Sequence, residues 1–322
     1  MKKVLITGGA GFIGSHLAAR YAGMGISVRV VDNLSAGSID NLAGLDPALV
    51  ELAIADIRDE ERMSALVRDC DLVVHLAARV GLKVVVEQPL ETLETNVEGT
   101  ASVLRAACAN KTKVIVASTS EVYGLATRIP SSEDDPITIG APVRNRWSYA
   151  ASKALDEFLA FAYWRERGLP IVVVRLFNTV GPRQSGRYGM VIPSFIRMAM
   201  ANEPLTVYGD GTQTRCFCHV RDVAGALVAL ADDPRAVGEV FNLGNPEETT
   251  INDLAARVIA LTDSSSKIVY MPHDVAYGEA FQEIYRRVPN IAKIQEAIGF
   301  APTARLDGIL REIIAGMRVA VA

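Results

Sequence analysis

The chain has little cysteine and little histidine for its 322 residues. Cysteine occurs four times, at Cys70, Cys108, Cys216 and Cys218, without the spacing of zinc ligands, so a reduced cytoplasmic protein is favoured. Cys216 and Cys218 are expected at alternate positions of one strand. The four histidines are scattered along the chain, so no metal site is predicted.

Three further features are missing. No apolar stretch approaches about 18 residues, so no membrane span is predicted. The net charge of −4 offers no basic footprint for nucleic acid. Strand-like sequence starts close to the first residue, and we expect no signal peptide. The content of 50% hydrophobic and 22% charged residues is typical of a soluble globular protein with a substantial core.

Glycine is concentrated where the first apolar strand ends. Lys3 to Thr7 is followed by Gly8, Gly11 and Gly14, and then by a helix-like segment. Gly8 permits a tight turn, Gly11 lets the backbone approach a pyrophosphate, and Gly14 lets the helix pack close to the strand. The N-terminus of that helix offers free N–H groups to phosphates. The pattern predicts a dinucleotide site.

A second apolar strand, Val28–Val31, ends at Asp32, which is 18 residues beyond Gly14. A carboxylate at about this spacing binds the ribose hydroxyls of a dinucleotide. It would repel a 2′-phosphate, so the sequence predicts NAD rather than NADP. The alternative is an ordinary glycine turn beside a solvated Asp32, and the full strand–turn–helix–strand context argues against it.

Strand and helix patterns alternate through the first half of the chain, which predicts an α/β fold with a Rossmann-type doubly wound parallel sheet. Past residue 177 the alternation loosens. We therefore expect an NAD-binding domain over residues 1–177 and a smaller C-terminal lobe over residues 178–322, mainly for substrate, with the chain returning to the sheet near residues 215–245. The expected strands are Val28–Val31, Leu72–Leu76, Lys113–Ala117, Ile171–Leu176 and Leu205–Tyr208. The expected helices are Glu61–Val67, Leu93–Ala109, Tyr149–Glu166, Ile192–Met200, Arg221–Leu230, Ile251–Leu261 and a tail helix from Arg305.

Tyr149 and Lys153 stand four residues apart, which places them on one face of a helix. A neighbouring ammonium and a positively charged nicotinamide favour the phenolate, so we expect the pKa of Tyr149 to be lowered. Tyr149 then takes a hydroxyl proton while a hydride moves to NAD. The alternative is a surface Tyr–Lys pair, which is common on helices.

Polar residues follow the expected strand Lys113–Ala117, at the edge where an open α/β sheet binds its ligands. Thr119 is the candidate donor of a hydrogen bond to the reacting C–O group. Glu121 is either a second acid or base or a solvated loop carboxylate.

These motifs resemble the extended short-chain dehydrogenase/reductase family, specifically its nucleotide-sugar epimerases, dehydratases and decarboxylases. The resemblance covers nearly the whole chain. It rests on the segments Thr7–Gly14, Asp32–Asn33, Asp56–Ile57, His75–Ala78, Asn96, Val122–Gly124, Tyr149–Lys153 and Arg175–Arg183.

The resemblance implies bound NAD, with Asp56 and Ile57 near the adenine and Lys153 on the nicotinamide ribose. The residues implied for NAD are Gly8, Gly11, Phe12, Ile13, Gly14, Asp32, Asn33, Asp56, Ile57, Leu76, Ala77, Ala78, Asn96, Ser118, Tyr149 and Lys153. Those implied for catalysis are Thr119, Glu121, Tyr149 and Lys153. Those implied for a nucleotide-sugar substrate are Lys83, Ser120, Asn178, Val191, Tyr208, Arg215 and Arg287.

Among these substrate residues, Asn178 is implied at the sugar diphosphate and Tyr208 beside the base. Arg215 and Arg287 are implied to grip the diphosphate or the sugar, because a guanidinium suits phosphate and carboxylate. The alternative for either arginine is a surface ion pair.

The resemblance implies a reaction that begins with oxidation of the sugar at C4. A 4-epimerase of a UDP-hexose or UDP-hexuronate is expected first, and a UDP-glucuronate decarboxylase is the alternative. The segment Thr119–Glu121, the stretch Arg144–Trp147 and Arg287 resemble the decarboxylases, whereas the loop Arg79–Val86 departs from them. Ser120 stands where the hexose dehydratases place an aspartate, which counts against dehydration.

Two alternative functions fall outside this group of enzymes. A non-catalytic NAD-binding protein has no need for Thr119, Tyr149 and Lys153 together. A plain alcohol dehydrogenase would release reduced cofactor. The helices Leu93–Ala109 and Tyr149–Glu166 carry more apolar residues than one sheet face requires, and in the similar family such a pair forms a dimer interface. A homodimer is therefore expected.

Overall fold

The computed structural model describes residues 1–186, 189–277 and 282–321. The strands are β1 Lys3–Thr7, β2 Ser27–Asp32, β3 Val50–Ile54, β4 Leu72–His75, β5 Lys113–Thr119, β6 Ile171–Leu176, β7 Thr179–Val180, β8 Leu205–Tyr208, β9 Thr214–Cys216, β10 Cys218–His219, β11 Glu239–Leu243, β12 Glu248–Thr250 and β13 Ile268–Met271. The helices are α1 Phe12–Gly23, α2 Glu60–Val67, α3 Leu82–Glu87, α4 Pro89–Asn110, α5 Trp147–Arg167, α6 Val191–Met200, α7 Val220–Asp232, α8 Ile251–Thr262, α9 His273–Tyr277, α10 Ala292–Ile298 and α11 Leu306–Val321.

Seven strands form the central sheet in the order β11-β6-β5-β4-β1-β2-β3, and every pairing in it is parallel. The inner strands are near-continuous runs of valine, isoleucine and leucine, because helices cover both faces of a parallel sheet. The strand order reverses between β1 and β4, and parallel sheets bind their ligands at such a point. The predicted Rossmann-type α/β sheet is confirmed.

Each face of the sheet carries its own core. One core packs α1, α7 and α10 against the strands, and the other packs α2, α4 and α5 against the opposite face. A third core lies outside the sheet and joins α6, α8 and α11. β11 pairs with β6 after the first segments of this outer lobe, so the chain does return to the main sheet. The division at residue 177 stays a prediction.

Two local expectations differ from the structure. Cys216 and Cys218 lie in separate strands, because the chain changes partner at Phe217: β9 pairs with β12 and β10 pairs with β7. The segment expected as a loop at residues 79–86 contains most of the short helix α3. None of the helices within the described residues has the length and apolar character needed to cross a membrane.

Candidate functional site

A cavity of about 1410 Å³ lies at the carboxyl ends of the central strands. It runs from the turn after β1, past the ends of β4 and β5, to the outer lobe. Its walls contain both the glycine turn and the pair Tyr149 and Lys153. The cavity therefore joins the predicted dinucleotide site to the predicted catalytic groups.

The glycine turn leaves no room for larger residues. Gly8 has a φ of +67°, and a Cβ there would stand 2.9 Å from backbone atoms of Ala77. A Cβ on Gly14 would stand 2.3 Å from the Gly8 carbonyl oxygen. α1 begins immediately after Gly11, so its free N–H groups face the cavity. This cradle fits a pyrophosphate that approaches the backbone closely.

Asp32 ends β2 with its side chain almost fully buried. Its carboxylate accepts hydrogen bonds from the backbone N–H of Ala10 at 3.0 Å and of Leu34 at 2.8 Å. Burial raises the pKa of Asp32, and these backbone donors oppose the shift. The carboxylate is thus fixed at the cavity wall, where ribose hydroxyls of a dinucleotide can donate to its remaining lone pairs.

Most of the predicted site residues share this one cavity. The predicted residues that line it are Gly8, Gly11, Phe12, Ile13, Gly14, Asp32, Asn33, Ile57, Leu76, Ala77, Ala78, Lys83, Ser118, Thr119, Ser120, Glu121, Tyr149, Lys153, Asn178, Val191, Tyr208, Arg215 and Arg287.

Asp56 and Asn96 are outside the lining. Asp56 turns toward Arg58, with which it forms an ion pair at 2.8 Å. Asn96 is buried beneath the wall, where it accepts a hydrogen bond from the Arg79 N–H at 2.8 Å and donates to the Ser152 hydroxyl at 3.0 Å. Asn96 therefore supports the wall, and a direct contact of either residue with NAD stays a prediction.

The candidate catalytic groups come from two neighbouring elements. Thr119 ends β5, and its hydroxyl accepts a hydrogen bond from the Glu121 N–H at 3.2 Å, which starts a short 3₁₀ helix. Tyr149 and Lys153 lie in the first two turns of α5. The Thr119 hydroxyl favours the phenolate form of Tyr149 and so acts to lower the pKa of the phenol. The structure thus brings a hydroxyl, a phenol and an ammonium to the wall of one cavity, and their catalytic roles stay predictions.

The pKa of Tyr149 differs from the sequence expectation. Burial raises it well above its ordinary range, and the Glu121 carboxylate raises it further. The Thr119 hydroxyl and Arg287 act in the opposite direction. The expectation of a lowered pKa considered only the positive charges, whereas in the folded chain two carboxylates also face the phenol. The second of these is Asp156.

Glu121 is held by two arginines. Its Oε1 lies 2.7 Å from Nη1 of Arg287, and its Oε2 lies 3.4 Å from Nη2 of Arg146. Burial alone would raise the pKa of Glu121, but the two guanidinium groups outweigh burial and keep the pKa below its ordinary value. Glu121 is therefore ionised, and it is not the solvated loop carboxylate of the alternative reading.

One nitrogen of Arg287 takes no part in these contacts. Its Nε is buried and has no hydrogen-bond partner among the described residues. A buried donor without a partner is costly, and such groups commonly mark a ligand position. The Arg287 guanidinium lines the cavity, where it suits a carboxylate or a phosphate.

Arg215 is the second predicted arginine and is nearly as buried. Its Nη2 lies 2.7 Å from Oε1 of Glu283. Burial lowers the pKa of Arg215, and the nearby Arg287 lowers it further. The sequence reasoning named neither Glu283 nor Arg146 as a site residue. The resemblance to the decarboxylases points only to the stretch Arg144–Trp147 as a whole. Nothing in the local sequence of Glu283 indicates that it faces the cavity.

A buried ion pair joins α5 to the central sheet. Arg175 on β6 donates two hydrogen bonds to the Glu157 carboxylate on α5, at 2.9 and 2.8 Å. Arg175 also donates to the Tyr123 hydroxyl at 2.9 Å. The pair locks α5 onto the sheet and so fixes where Tyr149 and Lys153 stand.

Comparisons with known proteins agree with this geometry. The model of the NAD dependent epimerase/dehydratase family matches residues 4–244. The chain is 44% identical to a UDP-N-acetyl-alpha-D-glucosaminuronate decarboxylase of Bacillus cytotoxicus, over 98% of each chain.

Solved structures agree as well. An epimerase of Methanothermobacter thermautotrophicus superimposes with a TM-score of 0.91 at 30% identity, covering 99% of this chain and 93% of its own. A UDP-glucuronic acid 4-epimerase of Bacillus cereus, solved with UDP-glucuronic acid and NAD, gives 0.88 at 28% identity over 99% of both chains.

Proposed function

The chain belongs to the NAD dependent epimerase/dehydratase family, and from this premise we propose that it decarboxylates a UDP-linked hexuronate after oxidising the sugar at C4. It is an enzyme that uses NAD and modifies nucleotide sugars. Decarboxylation was the alternative in the sequence analysis, behind 4-epimerisation. The contacts of Glu121 and Arg287 and the 44% identical decarboxylase now favour it.

The observation that carries the proposal is the arginine cluster beside Tyr149. Arg287 binds Glu121 through Nη1 and leaves Nε buried and unpartnered, while Arg146 approaches Glu121 from its other oxygen. A neutral hexose offers no charged group to this cluster. A hexuronate offers a carboxylate, which suits a guanidinium donor.

The first step is oxidation at C4. NAD, if held by the glycine turn and Asp32, would supply the hydride acceptor for this step and the hydride donor for the last one. Tyr149 as phenolate takes the proton from the C4 hydroxyl, and the Thr119 hydroxyl hydrogen-bonds the same oxygen. Lys153 holds its ammonium on the same face of α5, where it stabilises the phenolate.

The second step is the loss of the carboxyl group. A ketone at C4 makes the C6 carboxylate a β-keto acid, so the C5–C6 bond breaks and its electron pair passes into an enolate over C5, C4 and the C4 oxygen. Carbon dioxide leaves, and C5 takes a proton. Tyr149 then returns the proton to the C4 oxygen, and the cofactor would supply the hydride that C4 needs to become a carbinol again. The sum is one hexuronate and one proton converted to one pentose and one carbon dioxide.

Arg287 and the Thr119 hydroxyl line the same cavity as Tyr149. Arg287 and the Thr119 hydroxyl stabilise negative charge as it moves from the carboxylate to the C4 oxygen, which is the usual role of preorganised donors. Asn178, Tyr208 and Arg215 line the outer part of the cavity, and we assign them to the UDP moiety.

A UDP-hexuronate 4-epimerase is the second candidate. The segment Arg79–Val86, which includes part of α3, lines the same cavity and departs from the decarboxylases. The structural similarity to the 4-epimerase of Bacillus cereus favours this candidate as well. Epimerisation uses the same C4 oxidation and differs only in the fate of the ketone.

The test is a product analysis. The purified protein, loaded with NAD, is incubated separately with UDP-glucuronate, UDP-N-acetylglucosaminuronate and UDP-glucose, and the products are followed by NMR. We expect a UDP-pentose or its 2-acetamido counterpart, with carbon dioxide, from one or both hexuronates. A product that is the C4 epimer and retains its carboxylate would contradict decarboxylation and support the second candidate, 4-epimerisation. UDP-glucose is the control, because it has no carboxylate to lose.

We also propose a homodimer formed through α4 and α5. These two helices pack together and expose large apolar side chains, Leu90 and Leu93 on α4, and Leu155 and Phe158 on α5. A second copy of the chain, which offers the same face, is the occupant that covers it on both partners at once. Phe158→Asp should give a monomer in sedimentation analysis, while Val143→Asp, an exposed change outside both helices, should leave the dimer intact. A monomeric unaltered protein would contradict the proposal.

We place the protein in a reducing compartment, the cytoplasm. All four cysteines are free, and three of them are buried. Persistent free thiols are the usual state of proteins in reducing compartments.

A further inference from the structure

Lys153 has a buried partner that the reaction does not explain. Its Nζ lies 3.0 Å from Oδ2 of Asp156, one helical turn further along α5. The two side chains are 3% and 0% exposed. A carboxylate at this place neutralises part of the charge that Lys153 offers to Tyr149, so its presence in the catalytic helix needs a reason.

A line of polar side chains leads from the sheet to Asp156. The Ala77 N–H donates to the Thr7 hydroxyl oxygen at 3.2 Å, and the Thr7 hydroxyl contacts Nδ1 of His75 at 2.7 Å. Nε2 of His75 contacts the Thr100 hydroxyl at 3.0 Å. Burial lowers the pKa of His75 to about 3, so the imidazole is neutral.

The donors along this line are partly fixed by the chemistry of its members. A neutral imidazole carries one ring hydrogen, so His75 donates at one of its two threonine contacts and accepts at the other. Burial raises the pKa of Asp156, whereas the Lys153 ammonium and the Thr100 hydroxyl oppose that shift. Oδ1 of Asp156 is buried without a hydrogen-bond partner among the described residues, so Oδ2, at 3.0 Å from Lys153, is the oxygen through which Asp156 acts.

We propose that Asp156 is a positioning residue that holds the Lys153 ammonium in place and sets the pH range in which Tyr149 accepts its proton. The proposal rests on the oxidative half of the proposed function and does not depend on decarboxylation. Asp156 touches neither the sugar nor the reacting atoms in this account. It acts through Lys153 by the 3.0 Å ion pair and on Tyr149 by its charge.

The sign of the effect follows from the charges around Tyr149. Asp156 disfavours the phenolate, because a nearby negative charge favours the protonated form of an acid. Removing that charge makes loss of a proton easier for all titratable neighbours. The charged and titratable groups that face Tyr149 and Asp156 are Lys153, Glu157, His75, Glu121 and Arg287.

The test is the pH dependence of C4 oxidation in Asp156→Asn, an isosteric variant that removes the charge. It is followed by the near-ultraviolet absorbance of the reduced nicotinamide after NAD-loaded protein is mixed with UDP-glucuronate. We expect the whole pH profile to move to lower pH by roughly one unit. Glu166→Gln removes a charge from an exposed position of the same helix, and its profile should not move.

A lower rate with an unmoved pH profile would overturn the proposal, because a merely structural role reduces activity without changing a proton affinity. A profile displaced to higher pH would overturn it as well. Asp156→Ala removes the same charge with a residue that favours helix, so either variant that folds carries the test.

Melting temperature and NAD affinity, measured on both variants, provide readouts that do not require turnover. We expect the NAD dissociation constant to change less than about threefold, whereas a collapsed site would lose NAD. If UDP-glucuronate yields reduced nicotinamide but no pentose, the proposed decarboxylation fails while the Asp156 test still proceeds on the absorbance signal.

Discussion

The cavity has two halves of different construction. The cofactor half, around Gly8, Gly14 and Asp32, is made of closely approaching backbone and one fixed carboxylate. The substrate half, around Glu121, Arg215 and Arg287, is made of charged side chains that pair with one another. The first half is built within 32 residues of the N-terminus, whereas the second draws its side chains from segments up to 166 residues apart.

This difference separates what the family shares from what an individual member does. A backbone cradle binds the same pyrophosphate whatever the substrate, since its contacts depend on shape and on N–H groups. Charged side chains select among substrates because an analogue that lacks the matching group leaves these side chains unpaired. We therefore expect the identity of the reaction to depend on Arg287 and its neighbours rather than on the glycine turn.

Tyr149→Phe, at the junction of the halves, should have the largest effect. Loss of the phenolate removes the acceptor of the C4 proton, so we expect turnover to fall by about 10³-fold. NAD affinity should remain within about threefold, because the cofactor half is untouched. Tyr163→Phe on the same helix is the matched control. Full turnover of Tyr149→Phe would show that another group takes the proton.

Arg287→Lys tests whether this arginine of the substrate half binds the substrate carboxylate. Lysine keeps the charge but loses the planar donor fork, so kcat/KM for the hexuronate should fall by roughly 10²-fold while NAD binding is unchanged. The matched control is Arg286→Lys, because Arg286 is exposed and pairs with Glu248 at 2.6 Å instead of facing the cavity. Equal losses in both variants would contradict the assignment of Arg287 to the substrate carboxylate.

Asp32→Asn tests the cofactor half with the smallest expected change. Ala10 and Leu34 donate to different oxygens of Asp32, so the amide keeps an acceptor for only one of these backbone N–H groups and also removes the negative charge. The NAD dissociation constant should rise about tenfold, since a hydrogen bond to a charged group is replaced by a neutral one. The ratio of NADP to NAD affinity should increase, as measured by fluorescence titration. An unchanged ratio would mean that Asp32 does not bind the ribose hydroxyls that distinguish NAD from NADP.

The sequence predicted the regions whose signal is local. Periodic apolar residues located α4, α5 and α8 to within a few residues, and strand runs located β2, β5 and β6. The glycine spacing predicted the cradle because a tight turn and a close helix permit no Cβ there. Tyr149 and Lys153 were found because a spacing of four residues places two side chains on one helix face.

What the sequence did not predict depends on distant segments meeting. Glu283 reaches Arg215 across 68 residues, and Arg146 reaches Glu121 across 25. No local pattern records such contacts. The raised pKa of Tyr149 was missed for the same reason, because burial and the Glu121 carboxylate arise only in the folded chain. Asp156 did carry a local signal, an acid one turn after Lys153 on a largely apolar helix.

The most direct measurement of the central claim is the reaction in deuterium oxide, with the products analysed by NMR and mass spectrometry. Loss of the carboxyl group leaves an enolate at C5 that must take a proton from an exchangeable source, so the account predicts a pentose product with one deuterium at C5. A hexuronate product with hydrogen retained at C5 and the hydride returned to C4 from the other face would contradict decarboxylation.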